Sequence, residues 1–396
     1  MRRFERKPAL LPLTLSPPLD RRYSRSPSGS PEPPERKTRE SIRTTRRRRL
    51  VRLVAAAAGC LCCLAIVRRA VGAPERVLYN TRVGSRPLVV TRDFEAESAV
   101  ELEHVLILTP MRSAIEHIWE YFRRLDTLEW PRDRLHIGLL ASDSTDRTYE
   151  RALELADERQ RRRRRSRRYA SISVFRRDFL PEGSKVPALG KARHAIEHQL
   201  ERRVGLARSR SFLLSAALTP AIDWVLWLDV DVIEFKPSLL RDLVVNAYVA
   251  EADVVVPNTM WHSYNESGGY DKNNWVETEA SLQLKSQLGP RDILVEAGYA
   301  DKPTHRRLLI DMVGETAPET VELDGVGGSC LLVRADIHRQ GAIFPAVPVD
   351  HQLETEGFAR LAKALGAKII GLPRCVARSR RSADPRRYEV FHGLYG

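Results

Sequence analysis

From residue 101 to about 256 the chain repeats one unit, a short apolar run followed by a more polar stretch with helical spacing. No other feature constrains the fold as much. The apolar runs are His104 to Thr109, Leu135 to Ala141, Ser171 to Phe175, Trp224 to Leu228 and Val254 to Val256. Between them, Ile115 to Leu128, Tyr149 to Ala156, Lys191 to Leu218 and Pro237 to Ala250 read as helices. Strands alternating with helices predict an α/β fold with a mostly parallel central sheet. Wholly apolar strands fit a sheet covered on both faces. Ligands of such sheets gather beyond the C-terminal strand ends. Thr109-Pro110, Asp143 in Ser142-Asp143-Ser144, and Asp229 fall at such ends.

The sharpest chemical feature is Asp229-Val230-Asp231, directly after the five apolar residues 224–228. Two carboxylates at i and i+2 in a tight turn can hold one hard divalent cation, which can bridge to phosphate oxygens. Most Asp-x-Asp pairs are solvated turns, and position is what singles this one out. A metal-dependent phosphatase of the Asp-x-Asp type is a rival reading. That motif belongs on the first strand, whereas here about three strands precede it.

Three further clusters are candidates. In Leu323-Asp324-Gly325-Val326-Gly327-Gly328-Ser329 the glycines allow close backbone approach, and Asp324 can accept sugar hydroxyls. The plain alternative is a turn before a strand Cys330 to Val333. His351 to Phe358 opens a helix continuing to Ala364, with Glu354 and Glu356 favoured near its N-terminus. Tyr270 to Glu277 is a polar loop with an aromatic, Trp275, suited to a sugar or simply to a surface.

The formal net charge of +14 suggests a nucleic-acid binder until its placement is read. Residues 1–49 hold 15 Lys and Arg against 5 Asp and Glu. Arg159 to Arg168 holds eight arginines and no acid. Without that run, residues 101–396 are net negative. A basic globular nucleic-acid-binding domain is therefore excluded. The run itself reads as a solvated loop, with polyanion contact as the lesser reading.

Residues 1–49, rich in Pro, Ser and Arg, read as a disordered cytoplasmic tail. Leu50 to Val67 is apolar, and 18 helical residues span ~27 Å, close to a thin bilayer core. A buried helix or a cleaved signal peptide are the alternatives, but a signal peptide would start nearer the N-terminus. The preceding arginines keep the tail cytoplasmic, which makes 50–67 a transmembrane signal-anchor of type II topology. Residues 68–100 read as a stem and 101–396 as a lumenal domain. Asn265-Glu266-Ser267 is an N-glycosylation acceptor pattern on that side. Of the five cysteines, Cys60, Cys62 and Cys63 lie in the apolar segment, and no bridge is expected between Cys330 and Cys375.

Taken in order, several segments resemble the fungal mannan polymerase subunits, Golgi α-mannosyltransferases of the GT-A type. They are Val105 to Pro110, Ser142 to Ser144, Asp223 to Asp231, Asn274-Trp275, Leu323 to Gly328, Glu354 to Phe358 and Gly371-Leu372-Pro373. The resemblance covers roughly 104–373. It implies a GT-A-like, Rossmann-type nucleotide-sugar-binding domain behind a single transmembrane helix. It further implies GDP-mannose as donor, Mn²⁺ as cofactor, and retaining transfer to the α-1,6-linked mannan backbone of an N-glycan acceptor. Homologous subunits in a hetero-oligomer, a Golgi membrane location and no nucleic-acid partner complete the expectation.

Carried onto this chain, the resemblance makes Asp229 and Asp231 the metal pair. Thr109, Pro110 and Asp143 face the nucleotide, and Arg208 and Arg210 lie on a basic helix near the donor. Asp324 and Glu277 join the catalytic set on the acceptor side, and Asn274, Trp275, Glu354 and Glu356 are acceptor-binding candidates. The family's metal-binding histidine follows Gly-Leu-Pro. Here the basic stretch Arg374 to Arg387 follows it like an insertion, and His392 is the displaced candidate ligand. That altered stretch also motivates a second reading, a non-catalytic subunit that stabilises an active complex.

Overall fold

The computed structural model describes residues 103–187, 196–261, 269–296, 303–314 and 316–379. The tail, anchor and stem expected at 1–100, the acceptor Asn265 and the candidate ligand His392 lie outside them. Among the described residues no helix is long and apolar enough to cross a membrane.

The first half alternates as expected: β1 (Val105–Met111), α1 (Ile118–Leu125), β2 (Leu135–Ala141), α2 (Thr148–Gln160), β3 (Ser171–Arg176), α3 (Ile196–Ala217) and β4 (Trp224–Leu228). Then come β5 (Val232–Glu234), α4 (Leu239–Val249), β6 (Val254–Trp261), β7 (Trp275–Val276), α5 (Glu279–Ser286), β8 (Arg307–Leu308) and β9 (Val321–Glu322). β10 (Cys330–Arg334), α6 (Ala335–Arg339), α7 (Glu354–Ala364) and β11 (Ile369–Ser379) follow.

One nine-stranded sheet has the order β3-β2-β1-β4-β10-β6-β11-β5, with β9 also on β11. β3, β2, β1 and β4 are mutually parallel, as are β6 and β11. β10 runs antiparallel between β4 and β6, and β5 runs antiparallel to β11. The α/β alternation is thus what the apolar runs indicated, but the sheet is mixed, with four parallel and four antiparallel pairings.

Apolar clusters cover both faces of the sheet. Trp224, Leu226 and Leu228 of β4 join one with Phe122 and Leu240, and Val225 and Trp227 join the other with Phe344 and Phe358. Successive strand residues point to opposite faces, so a strand buried on both must be apolar throughout. α1 shows the complementary pattern, burying Ile118, Tyr121, Phe122 and Leu125 at helical spacing.

Two insertion-like stretches turn out to be partly structural. Of the expected insertion at 374–387, residues 374–379 continue β11, with Val376 to Ser379 paired to Asn258 to Trp261, and 380–387 lie outside the described residues. The register shifts between Leu372 and Val376, around Pro373, which has no N–H to give to a ladder. In the Arg-rich run, Arg159 is buried at the end of α2, 3.3 Å from Asp126 and 4.4 Å from the centre of the Phe122 ring. Arg162 reaches both oxygens of Asp126, at 3.0 and 2.7 Å. Only the middle of the run is solvated.

Candidate functional site

β4 delivers Asp229 to the C-terminal edge of the sheet, where the chain turns sharply. The N–H of Val232 donates to the carbonyl of Asp229 at 3.1 Å, and the N–H of Asp229 donates to the Ser329 carbonyl at 2.9 Å. The second bond extends the β4–β10 pairing, so the glycine-rich segment before β10 is brought beside the carboxylate pair. Its glycines are needed for that approach: a Cβ on Gly327 would lie 2.0 Å from Asp271 Oδ2, and one on Gly328 2.3 Å from Arg210 Nη2.

Four carboxylates and one buried cation surround the turn. Arg210 donates Nη2 to Asp229 Oδ1 at 3.1 Å and Nε to Glu354 Oε1 at 3.0 Å. Tyr270 OH donates to Asp231 Oδ2 at 3.0 Å. Asp271 accepts from Ser329 Oγ at 2.8 Å and from the Asn273 N–H at 3.1 Å. Glu354 sits in the left-handed region with φ of 51°, a strained start for α7. Burial pushes the Asp229 carboxyl up. Arg210 opposes this, but Asp231, Asp271 and Glu354 add to it, and the group reaches about 7. Burial also raises Asp271.

A surplus of oxygen ligands with too little positive charge suits a hard divalent cation. Asp229 and Asp231 are the residues that would hold it. Among the described residues no group of three or more His, Cys, Asp or Glu side chains forms a complete metal site.

The remaining candidates are placed differently from one another. β1 runs two residues past Thr109, so Thr109 and Pro110 are buried within the strand rather than at its end. Thr109 Oγ1 donates to the Leu228 carbonyl at 2.8 Å and contacts Tyr121 OH, tying β1 and α1 to the end of β4. Asp143 is at a strand end as expected, with φ of 50°. Its carboxylate accepts from the N–H groups of Phe179 and Leu180, at 3.1 and 3.0 Å. Arg112, which the sequence reading passed over, donates to the carbonyls of Asp143 and Val186 at 3.2 and 2.8 Å. Together they hold the segment after β3 against the strand ends.

Arg208 is exposed, whereas Arg210 is buried. Two residues along a helix turn the side chain by ~200°, so the two cannot share a face. Seven residues do share one, and the true partner of Arg210 on α3 is Arg203, which pairs with the buried Glu356. That spacing was a signal available in the sequence.

Trp275 is fully buried, which corrects the expectation of a sugar-stacking ring. Arg306 lies 3.5 Å from its centre and Arg360 5.1 Å, and its Nε1 donates to Glu356 Oε1 at 2.9 Å. Arg306 also reaches Glu296 at 3.4 Å and Glu277 at 3.6 Å. Glu277 further accepts from Arg360 at 2.5 Å and Ser281 at 2.6 Å. Buried Asn274 accepts from the Gly327 N–H at 2.8 Å. Burial alone would raise the Asp324 carboxyl, but the ammonium of Lys363, 2.5 Å away, and the Glu277 N–H hold it below its ordinary range. Asn274, Trp275, Glu277, Asp324 and Glu356 therefore form a buried polar lattice that supports the glycine-rich segment. In this arrangement their polar groups are committed to one another, not to an acceptor. Asp229, Asp231 and Glu354, with Arg210, are the candidates that the fold brings to one place.

Residues 91–348 match the family described as Anp1. The chain belongs to that family. It is 36% identical over 282 residues to the mannan polymerase complex subunit MNN9 of Candida albicans, covering 68% of this chain and 73% of that one. Identity to the mannan polymerase complex subunit mnn9 of Schizosaccharomyces pombe is also 36%, over 274 residues, 68% of this chain and 78% of the relative. The mannan polymerase II complex ANP1 subunit of Saccharomyces cerevisiae is 34% identical over 281 residues, covering 69% of this chain but 54% of its own length. These relatives bear out the resemblance read from the Anp1-family chain's own motifs.

Proposed function

We propose that this chain is a GT-A-like mannosyltransferase subunit. It would transfer mannose from GDP-mannose, with retention, to the α-1,6-linked mannan backbone of an N-glycan acceptor. Homologous subunits would be its partners in a mannan polymerase complex. A Golgi membrane location follows from the same reading, with 1–49 cytoplasmic, 50–67 the type II anchor, 68–100 a stem and 101–396 lumenal. Family membership supports the polymerase setting.

The observation that carries a catalytic role is the Asp229–Asp231 turn at the end of β4, where carboxylates outnumber the single buried guanidinium. Asp229 and Asp231 would hold Mn²⁺, with His392 as a further ligand. When bound, the metal would neutralise the charge developing on a departing diphosphate. The chain's own residues prepare that site. Arg210 keeps Asp229 from rotating away, and Tyr270 fixes one oxygen of Asp231. Ser329 and Asn273 hold Asp271 beside the turn, and Asp143 with Arg112 shapes the neighbouring strand ends where a nucleotide would lie.

The test is mannose transfer by the full chain, co-purified with a homologous subunit, in the presence of Mn²⁺. Asp229→Ala and Asp231→Ala should each abolish transfer while the complex still assembles. Unchanged transfer in both variants would reject the catalytic role.

A second reading is a non-catalytic subunit, motivated by the basic stretch Arg374 to Arg387 that separates Gly371-Leu372-Pro373 from His392. It predicts no heat of GDP-mannose binding by calorimetry while co-purification persists.

A further inference from the structure

The parallel strands β1, β2 and β3 begin at the edge of the sheet opposite the carboxylate turn, and a line of side chains joins their starts. Arg134 Nη1 lies 2.7 Å from His104 Nε2, His104 Nδ1 lies 3.0 Å from His136 Nε2, and His136 Nδ1 lies 2.9 Å from Ser171 Oγ. Register explains the line. Leu106 pairs with His136 and His136 with Ser171, and His104, two residues before Leu106, points to the same face. One end of the line fixes every proton in it. A guanidinium only donates, so His104 Nε2 must accept from Arg134 and the ring proton must sit on Nδ1. That proton goes to His136 Nε2, and His136 donates its own Nδ1 proton to Ser171. Both rings are then neutral, with no lone pair left over. A proton added to His104 would set Nε2–H against Arg134, and one added to His136 would set Nε2–H against the Nδ1–H of His104. Either proton breaks a bond of the line.

We propose that the His104–His136 pair is an acid-sensitive latch on the end strand of the sheet. Neutral, the pair ties the start of β3 to β1 and β2; protonated, it lets that start open. β3 is where such a bond counts most, because it has β2 alone as a neighbour. Its other end leads into Phe179 and Leu180, whose N–H groups Asp143 holds beside the candidate site. Charged groups stand around the pair on each neighbouring element. Asp223, before β4, accepts the His104 N–H at Oδ2, at 2.8 Å. Glu103 is committed to Trp224 and Tyr248. Before β2 lie Arg134 and exposed Asp133, and before β3 Arg168 donates to the Arg162 carbonyl at 2.6 Å. The end of α3 covers this face, and residues 211–220 carry no titratable side chain. Burial, and then His104 beside it, holds the His136 imidazole below its ordinary 6.5. A histidine lowered in this way contributes stability above 6.5 and loses it as pH falls below that value. The latch stands whether or not the chain transfers mannose.

The experiment is hydrogen exchange of the full chain, read by mass spectrometry at about pH 7.5 and about pH 5, with labelling times scaled to the intrinsic exchange rate at each pH. The peptide over Ser171 to Arg176 should lose about tenfold in protection at the lower pH, the worth of one hydrogen bond. The peptide over Trp224 to Leu228, whose strand has neighbours on both sides, should not change. Burial takes His338 down to about 4, so that ring stays neutral throughout the comparison. Glutamine offers a donor and an acceptor but takes no proton. The double variant His104→Gln/His136→Gln should therefore keep the β3 protection of the neutral wild type at both pH values. Ser171→Ala leaves both rings and removes the last bond. It should be loose already at about pH 7.5 and lose little more in acid, and it decides the matter if the double variant does not fold. Equal protection of the wild-type β3 peptide at the two pH values would overturn the proposal. So would an acid loss in the double variant as large as in the wild type, which would place the titrating group among Glu103, Asp133 and Asp223.

Discussion

Arg210 on α3 lies 3.1 Å from Asp229, so a buried guanidinium supplies a counter-charge for the turn after β4. The same guanidinium holds Glu354 at the start of α7 and lies 5.4 Å from the centre of the Trp227 ring. One side chain thus joins two helices and the sheet edge.

Replacing Arg210 by Met keeps the volume and leaves Glu354 buried without its cation. Breaking one side of a buried pair costs about 3–5 kcal/mol. Urea unfolding of Arg210→Met should show a loss of that order. A loss of under about 1 kcal/mol would mean that solvent, not Arg210, neutralises the turn.

The raised Asp229 carboxyl makes a signed pH prediction. Its folded value of about 7 exceeds its ordinary 3.8, so between those limits the folded chain holds a proton that the unfolded chain releases. The stability this group contributes is full below 3.8 and is lost as pH rises through about 7. Metal-free wild type should therefore lose more stability between about pH 5 and pH 8 than Asp229→Asn does. Mn²⁺ should reduce that loss, because a bound cation favours the carboxylate. Matching pH slopes for wild type and Asn variant would contradict the assignment.

Trp275 separates a structural role from an acceptor role. Trp275→Ala removes a fully buried ring that packs against two guanidiniums and should cost about 3–5 kcal/mol. Trp275→Phe keeps most of the packing but loses the bond to Glu356, and about 1.5–3 kcal/mol is expected. Melting temperature should fall in both, with the KM for acceptor unchanged in Trp275→Phe. A raised KM at normal stability would restore the sugar-stacking reading.

His338 adds a second pH term of opposite sign. Burial pushes it down to about 4, although its bond to the Ala342 carbonyl opposes this. Nδ1 lies 2.7 Å from that carbonyl, and Nε2 accepts from Trp227 Nε1 at 3.1 Å, so the neutral ring uses both nitrogens. Its stability contribution is present above its ordinary 6.5 and is lost as pH falls towards 4. NMR of His338 should show a neutral ring at about pH 5.5, and a protonated ring at that pH would refute this.

Strands β1, β2, β4 and β10 were legible because a strand buried on both faces must be apolar along its whole length, whereas the half-buried end strand β3 showed only as a short run with alternating serines. The position of Asp229 followed, since the turn comes where that run stops. The antiparallel place of β10 between β4 and β6 was not legible. Nothing local in Cys330 to Arg334 specifies its neighbours, which lie 70 to 110 residues earlier in the chain. That the chain just after Pro373 is strand was not legible either, because its partners, Asn258 to Trp261, lie more than a hundred residues earlier and the basic side chains of 374–379 give no local sign of the ladder.

Taken alone, the sequence determined the α/β alternation, the carboxylate pair at a strand end and the family. These depend on spacing over a few residues. Tertiary structure decided which polar side chains remain available to a ligand. Glu356 finds Arg203 across 153 residues, and Trp275 finds Glu356 across 81. A carboxylate or an indole reads the same in sequence whether it meets solvent, a substrate or a guanidinium, and only the folded neighbours set that choice.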